Sequence, residues 1–89
     1  MKLKYRFVVR EISDQYIAVA VGKDNARFNG MVKLNETGAF LMELLNQGDT
    51  TERELLQAVI NKYDVAEDRA RENLSAFLKT LRDGGLLTE

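Results

Sequence analysis

Histidine and cysteine, the side chains that most often carry catalytic or metal-binding chemistry, are both absent from this sequence. Their absence removes thiolate nucleophiles, imidazole general bases, histidine-dependent serine triads, disulfides and zinc sites of the usual kind. Carboxylates, lysines and tyrosines remain, and an enzyme can be built on those, but the balance moves toward binding. One dipeptide, Gly22-Lys23, has the ending of a phosphate-binding loop. Such a loop also needs a glycine five residues before its Gly-Lys pair and a serine or threonine after it. Ile17 and Asp24 stand at those places. A turn, where glycine and lysine are both ordinary, accounts for the pair.

The chemistry that the sequence does offer is main-chain hydrogen bonding. The run Phe28-Asn29-Gly30-Met31-Val32-Lys33-Leu34 reads as a strand, with Phe28, Val32 and Leu34 on one face and Asn29, Met31 and Lys33 on the other. It has no proline, and its one charge is Lys33, so as an edge it is poorly protected against pairing. Gly30 in its middle permits close approach by another backbone. An edge of this kind can accept an extended peptide as an additional strand. A bulge at Gly30, pairing of two copies through the edge, and cover by the chain's own N-terminus are competing readings. Further along, helical spacing puts Arg69, Asn73, Ala76 and Thr80 on one side of an apolar stripe, next to Phe77. Arg71, Ser75 and Arg82 fall on the other side. The first set combines polar donors with a small alanine that leaves room, which suits one wall of a peptide groove. An ordinary boundary between core and surface has the same pattern.

These residues need elements to position them. Phe7–Ile12 and Gln15–Val21 are β-rich runs joined by Ser13-Asp14, close enough for a tight hairpin. Gly22-Lys23-Asp24-Asn25 is a second turn cluster, and the Phe28–Leu34 strand completes an antiparallel three-stranded meander. Three helices follow. Asn35 is placed to cap the first, with Leu34 and Ala39 spaced for a small staple. That helix is apolar on most sides and ends near Gly48, which suits a left-handed C-terminal position. Thr51-Glu52-Arg53-Glu54 is a capping box for the second, whose stripe is Leu55, Leu56, Val59, Ile60 and Tyr63. Asp64-Val65-Ala66-Glu67 is a box-like start for the third, whose stripe is Ala70, Leu74, Phe77, Leu78 and Leu81. Gly84-Gly85 ends it, and Leu86-Leu87 can fold back on its last turn. The expectation is an α+β fold: a three-stranded antiparallel sheet followed by three helices, winged helix-turn-helix-like, with the strands placed first.

Composition sets further bounds. At 89 residues the chain fits one domain over residues 1–89, without repeats or linkers. No apolar run approaches the ~20 residues that span a bilayer. The basic start Met1–Arg6 is followed by too short an apolar stretch for a secretory signal, so a cytoplasmic location with no membrane partner is expected. Thirteen basic residues against fourteen acidic ones provide no cationic excess for phosphate binding. The helix-turn-helix raises a winged-helix transcriptional regulator as the alternative function. The third helix, however, exposes Glu67, Asp68, Glu72 and Asp83 among its cations, which would repel a phosphate backbone.

The ordered segments carry a family resemblance. Asn29–Phe40 resembles the strand-to-helix junction of PqqD-family proteins. Glu43-Leu44-Leu45, Thr51–Leu55, Tyr63-Asp64-Val65, the Leu74/Phe77/Leu78/Leu81 pattern and the ending Gly85-Leu86-Leu87 continue it in order. The resemblance implies a recognition element for ribosomally made, post-translationally modified peptides, in natural product biosynthesis. Such a domain is a peptide chaperone without catalysis, metal or cofactor of its own. It binds a precursor's leader segment on its third strand, beside its third helix, and presents it to a modifying enzyme, often of the radical S-adenosylmethionine type. Carried over, the strand side is Phe28, Asn29, Gly30, Met31, Val32 and Lys33, and the helix side Arg69, Asn73, Ala76, Phe77 and Thr80. On the opposite flank Arg71, Ser75 and Leu78 would replace the helix set. Gly22–Arg27 and Phe28-Asn29 are not distinctive of pyrroloquinoline quinone pathway members, so that pathway, a sactipeptide-like one and a lasso-like one are equally open. The protein is expected to be a monomer or an edge-strand homodimer that binds no nucleic acid.

Overall fold

The computed structural model describes residues 1–21 and 31–88. In chain order these form β1 (Lys2–Leu3), β2 (Phe7–Ile12), β3 (Gln15–Ala20), β4 (Met31–Leu34), α1 (Glu36–Asn46), α2 (Glu52–Tyr63), α3 (Glu67–Asp83) and β5 (Leu87–Thr88). The turn cluster Gly22–Asn25 and the strand residues Phe28, Asn29 and Gly30 lie outside the described residues. An antiparallel sheet of order β2-β3-β4 followed by three helices is the expected α+β arrangement. The hairpin between β2 and β3 closes with Ile12 opposite Gln15, so its loop is the two residues Ser13 and Asp14. Both have positive φ, 49° and 67°. That is the backbone of a type I′ turn, whose twist matches the strands it joins.

The core lies between one sheet face and the helices. Phe7, Ala18, Ala20 and Val32 supply the sheet side, and Leu41, Met42 and Leu45 of α1 lie beneath them. Leu55, Leu56 and Val59 of α2 and Ala70, Leu74, Phe77, Leu78 and Leu81 of α3 close it, as their spacing predicts. Each large side chain buried this way contributes about 1.5–3 kcal/mol of transfer free energy. α1 begins as expected, with Asn35 Oδ1 accepting the Gly38 N–H at 2.7 Å. α2 makes half of its box: Thr51 Oγ1 accepts the Glu54 N–H at 3.1 Å, while the Glu54 carboxylate accepts from Thr50 Oγ1 instead.

Two helix boundaries differ from expectation. Asp64 does not cap α3. It sits in the left-handed region (φ 50°, ψ 47°) and ends α2, its N–H donating to the Ile60 carbonyl. α3 starts at Glu67 behind Ala66, whose methyl side chain offers no acceptor for a cap. Gly48, which follows the right-handed cap residue Gln47, has φ +145°, outside the left-handed helical region. The end of α3 is as read. Gly85 takes φ +70°, its N–H reaches Arg82 O, and the Leu86 N–H reaches Leu81 O at 2.9 Å. These two bonds make a Schellman motif and fold Leu86 onto the helix.

A second, two-stranded ribbon was not foreseen. β1 pairs with β5, Leu3 opposite Leu87, and the Lys4 N–H donates to Leu86 O at 2.7 Å. The Met1 ammonium adds an ion pair to Asp49 at 2.8 Å. The ammonium holds the Asp49 carboxyl below its ordinary range. The N-terminal segment therefore covers the chain's own end and leaves the β4 edge uncovered. At the other edge of the sheet, the Asn46 side chain both donates to Phe7 O (2.8 Å) and accepts from the Phe7 N–H (3.3 Å).

Candidate functional site

Strand register decides which main-chain groups are available. The Val21 N–H donates to the Arg6 carbonyl at 3.1 Å, so Arg6 and Val21 form a hydrogen-bonded pair. Such pairs alternate along an antiparallel ladder. Val8–Val19, Arg10–Ile17 and Ile12–Gln15 are therefore the others in β2-β3. β3 must then turn the main-chain groups of Tyr16 and Ala18 toward β4, where they face Leu34 and Val32. What remains on β4 is the N–H and C=O of Met31 and of Lys33. They point out of the sheet and find no partner among the described residues. The same parity explains why Asn46 can reach both groups of Phe7, which point outward from β2.

Beside this edge, α3 stands off from the sheet and leaves a cleft of about 190 Å³. Its walls are Lys33 and Leu34 of β4, Asn35, Thr37 and Gly38 at the start of α1, and Asn73, Ala76, Phe77 and Thr80 of α3. Phe77 and Leu34 provide an apolar floor, and Gly38 keeps it open: a Cβ there would stand 3.1 Å from Asn35 Oδ1 and 3.4 Å from Leu34 Cδ2. The Thr80 hydroxyl donates to the Ala76 carbonyl within its own helix. The Asn73 carboxamide has no partner among the described residues. An extended chain placed along β4 thus meets two outward main-chain pairs, and every second side chain meets the cleft.

Lys33, Asn73, Ala76, Phe77 and Thr80 are brought to one place. Val32 is not part of the open edge: its side chain is in the core and its main chain faces Ala18. Met31 is 60% exposed on the opposite sheet face. Arg69 is exposed one turn beyond Asn73 and does not line the cleft. Leu78, on the alternative flank, is fully buried in the core. Arg71 instead lines a separate groove with Glu52, Arg53, Leu56, Gln57, Glu67 and Leu74. Leu34, Asn35, Thr37 and Gly38 were missed as cleft residues. Their signal was present: a cap that directly follows an edge strand lies under that strand's end.

The profile of Coenzyme PQQ synthesis protein D (PqqD) matches residues 10–87. The chain belongs to the PqqD family. No curated protein sequence matches this PqqD-family member. Among solved structures, TbiB1 in complex with the TbiA(beta) leader peptide is similar, with a TM-score of 0.70 and 23% identity. That match covers 98% of this chain and 94% of the other. A lasso peptide synthetase B1 complexed with the leader peptide is also similar, with a TM-score of 0.66 and 18% identity, covering 99% and 96%. At these identities the two structures share the fold of this PqqD-family protein.

Other candidate groups of the PqqD-family chain are accounted for by local structure. Tyr63 packs edge-on against Phe40 (5.7 Å between centroids), with the Lys62 ammonium 5.1 Å from the Phe40 ring centre. Burial, then the Glu36 carboxylate, raises the Tyr63 phenol. The Glu11 carboxylate raises Tyr16, with burial, Glu36 and Asp14 adding to it. Both phenols therefore stay protonated at neutral pH and are poor bases. Among the described residues no cluster of three or more acidic side chains could hold a metal ion, and no helix is long and apolar enough to cross a membrane. On the solvent face of α3, Arg71 pairs with Glu67 and Lys79 with Asp83, each at 2.8 Å.

Proposed function

We propose that this PqqD-family protein binds the leader of a ribosomally made precursor peptide as an added strand on β4 and presents it to a modifying enzyme, without catalysing the modification. The observation that carries this reading is the pair of outward main-chain groups on Met31 and Lys33, set beside the cleft of Leu34, Asn73, Ala76, Phe77 and Thr80. Main-chain bonds would supply affinity, and alternate leader side chains entering the cleft would supply selectivity. That both similar structures hold leader peptides supports the same assignment. Holding the leader raises the effective concentration of the core peptide at the enzyme, which a radical S-adenosylmethionine partner could then modify. The cations of α3 that are matched by carboxylates leave the DNA-binding alternative without support.

The test takes as probe the leader of any short precursor encoded beside this gene and measures binding by calorimetry. Lys33→Pro removes an outward N–H and leaves the β3-β4 ladder intact, since edge strands tolerate proline there. Binding should weaken at least about tenfold, the equivalent of one lost hydrogen bond. Lys33→Met, which keeps the N–H, should bind far better than Lys33→Pro. Equal binding by a folded Lys33→Pro protein would remove β4 as the site.

A further inference from the structure

The sheet face turned away from the core is not uniform. Its side chains stand in cross-strand rows fixed by the register. One row is Val8, Val19 and Met31, wholly apolar. The next is Arg10, Ile17 and Lys33, with a cation at each end. Ile12 and Gln15 complete the face. Among the described residues this face carries no carboxylate, and neither Arg10 nor Lys33 makes an ion pair. Val8, Ile17 and Val19 are half-buried, while Met31 is 60% and Ile12 54% exposed.

We propose that this outer face selects the bound peptide through a second set of its residues, requiring an apolar residue beside Met31 and an acidic residue beside Lys33, one residue apart. The inference rests on strand addition at β4 and deepens it. For a peptide added antiparallel to β4, the residues that hydrogen-bond to the outward main-chain groups of Met31 and Lys33 lie directly opposite them. Directly opposite residues share a sheet face. The peptide residue opposite Met31 therefore extends the apolar row, and the one opposite Lys33 extends the cationic row. The residue between them faces the α3 cleft. Lys33 lacks a carboxylate partner within the described chain, and an acidic peptide residue supplies one across the strand pair. The recognised segment is thus an extended triplet, apolar, cleft-filling and acidic, read along β4 from Met31 to Lys33. The cleft tests one side of the peptide and the outer face tests the other.

A phage-displayed library of random peptides, selected in parallel on the wild type, Lys33→Glu, Met31→Lys and Lys33→Pro, reads this directly. The wild type should enrich peptides with an acidic residue two positions from an apolar one. Lys33→Glu should replace the acidic residue by a basic one and keep the apolar one, and should bind wild-type-selected peptides about tenfold more weakly. Met31→Lys should turn the apolar preference acidic. If wild type and Lys33→Glu enrich the same peptides while Lys33→Pro loses them, the outer-face inference is overturned and strand addition stands. If Lys33→Pro keeps the same peptides, or the wild type enriches none, strand addition itself fails.

Discussion

At the scale of single residues, the hairpin turn holds the clearest unrealised stability. Ser13 and Asp14 both adopt positive φ, a conformation that L-residues pay for and that asparagine and glycine tolerate. Ser13→Asn together with Asp14→Gly keeps the register of β2 and β3 and should stabilise the protein by about 1 kcal/mol. A shift of the urea midpoint to higher concentration at constant slope checks it. Asp49 has a contribution tied to pH. The Met1 ammonium lowers its folded pKa, so its stabilising effect is present above the unfolded carboxylate pKa and lost as pH falls through the folded one. Asp49→Asn should lower the thermal midpoint slightly at neutral pH, and the difference from wild type should vanish in acid. Melting curves collected down through the carboxylate range measure this.

At the scale of elements, the parity of β4 separates two substitutions that look alike in the sequence. Val32 directs its main chain into the sheet and Lys33 directs its own outward. Val32→Pro removes a ladder bond to Ala18 and should cost about 2–3 kcal/mol of stability, whereas Lys33→Pro should cost much less. Comparing their denaturant midpoints tests the assigned register without any peptide. The strands and the helix stripes were legible because each depends on a local period: alternation placed Val32 inward and Lys33 outward, and helical spacing put Asn73, Ala76 and Thr80 on one side of the α3 stripe. What was not legible depends on two distant segments at once. The β1-β5 ribbon needs Lys2-Leu3 to meet Leu87-Thr88, and neither pair is long enough to announce a strand. Asp64 was misread because an aspartate that caps a following helix and one that ends the preceding helix look the same in sequence. Assigning peptide recognition to the β4 edge drew on the family resemblance, since an unprotected edge alone fits several uses.

At the scale of the whole molecule, Leu86 and Leu87 tie the end of α3 to β1. Leu86 is 2% exposed, anchored by the Schellman motif and by the Lys4 N–H. Leu86→Ala removes packing from the core and from the β1-β5 ribbon together. It should cost about 2–4 kcal/mol, lowering the melting midpoint by roughly 10 °C or more in a domain of this size. A calorimetric midpoint left nearly unchanged would show that Leu86 contributes little to the core. The Asn46 carboxamide bears on how the molecule meets copies of itself. A sheet elongates without limit only when both of its edges can accept a strand. Asn46 occupies the first outward pair of β2, and just Val9 and the charged Glu11 remain beyond it along that strand. The β2 edge is thereby shortened to two outward pairs, one of them at a charged residue that discourages pairing. A strand gained at β4 is thus less easily matched by one at β2, so a protein that presents a bare strand to its ligand is less prone to stack edge to edge into fibres.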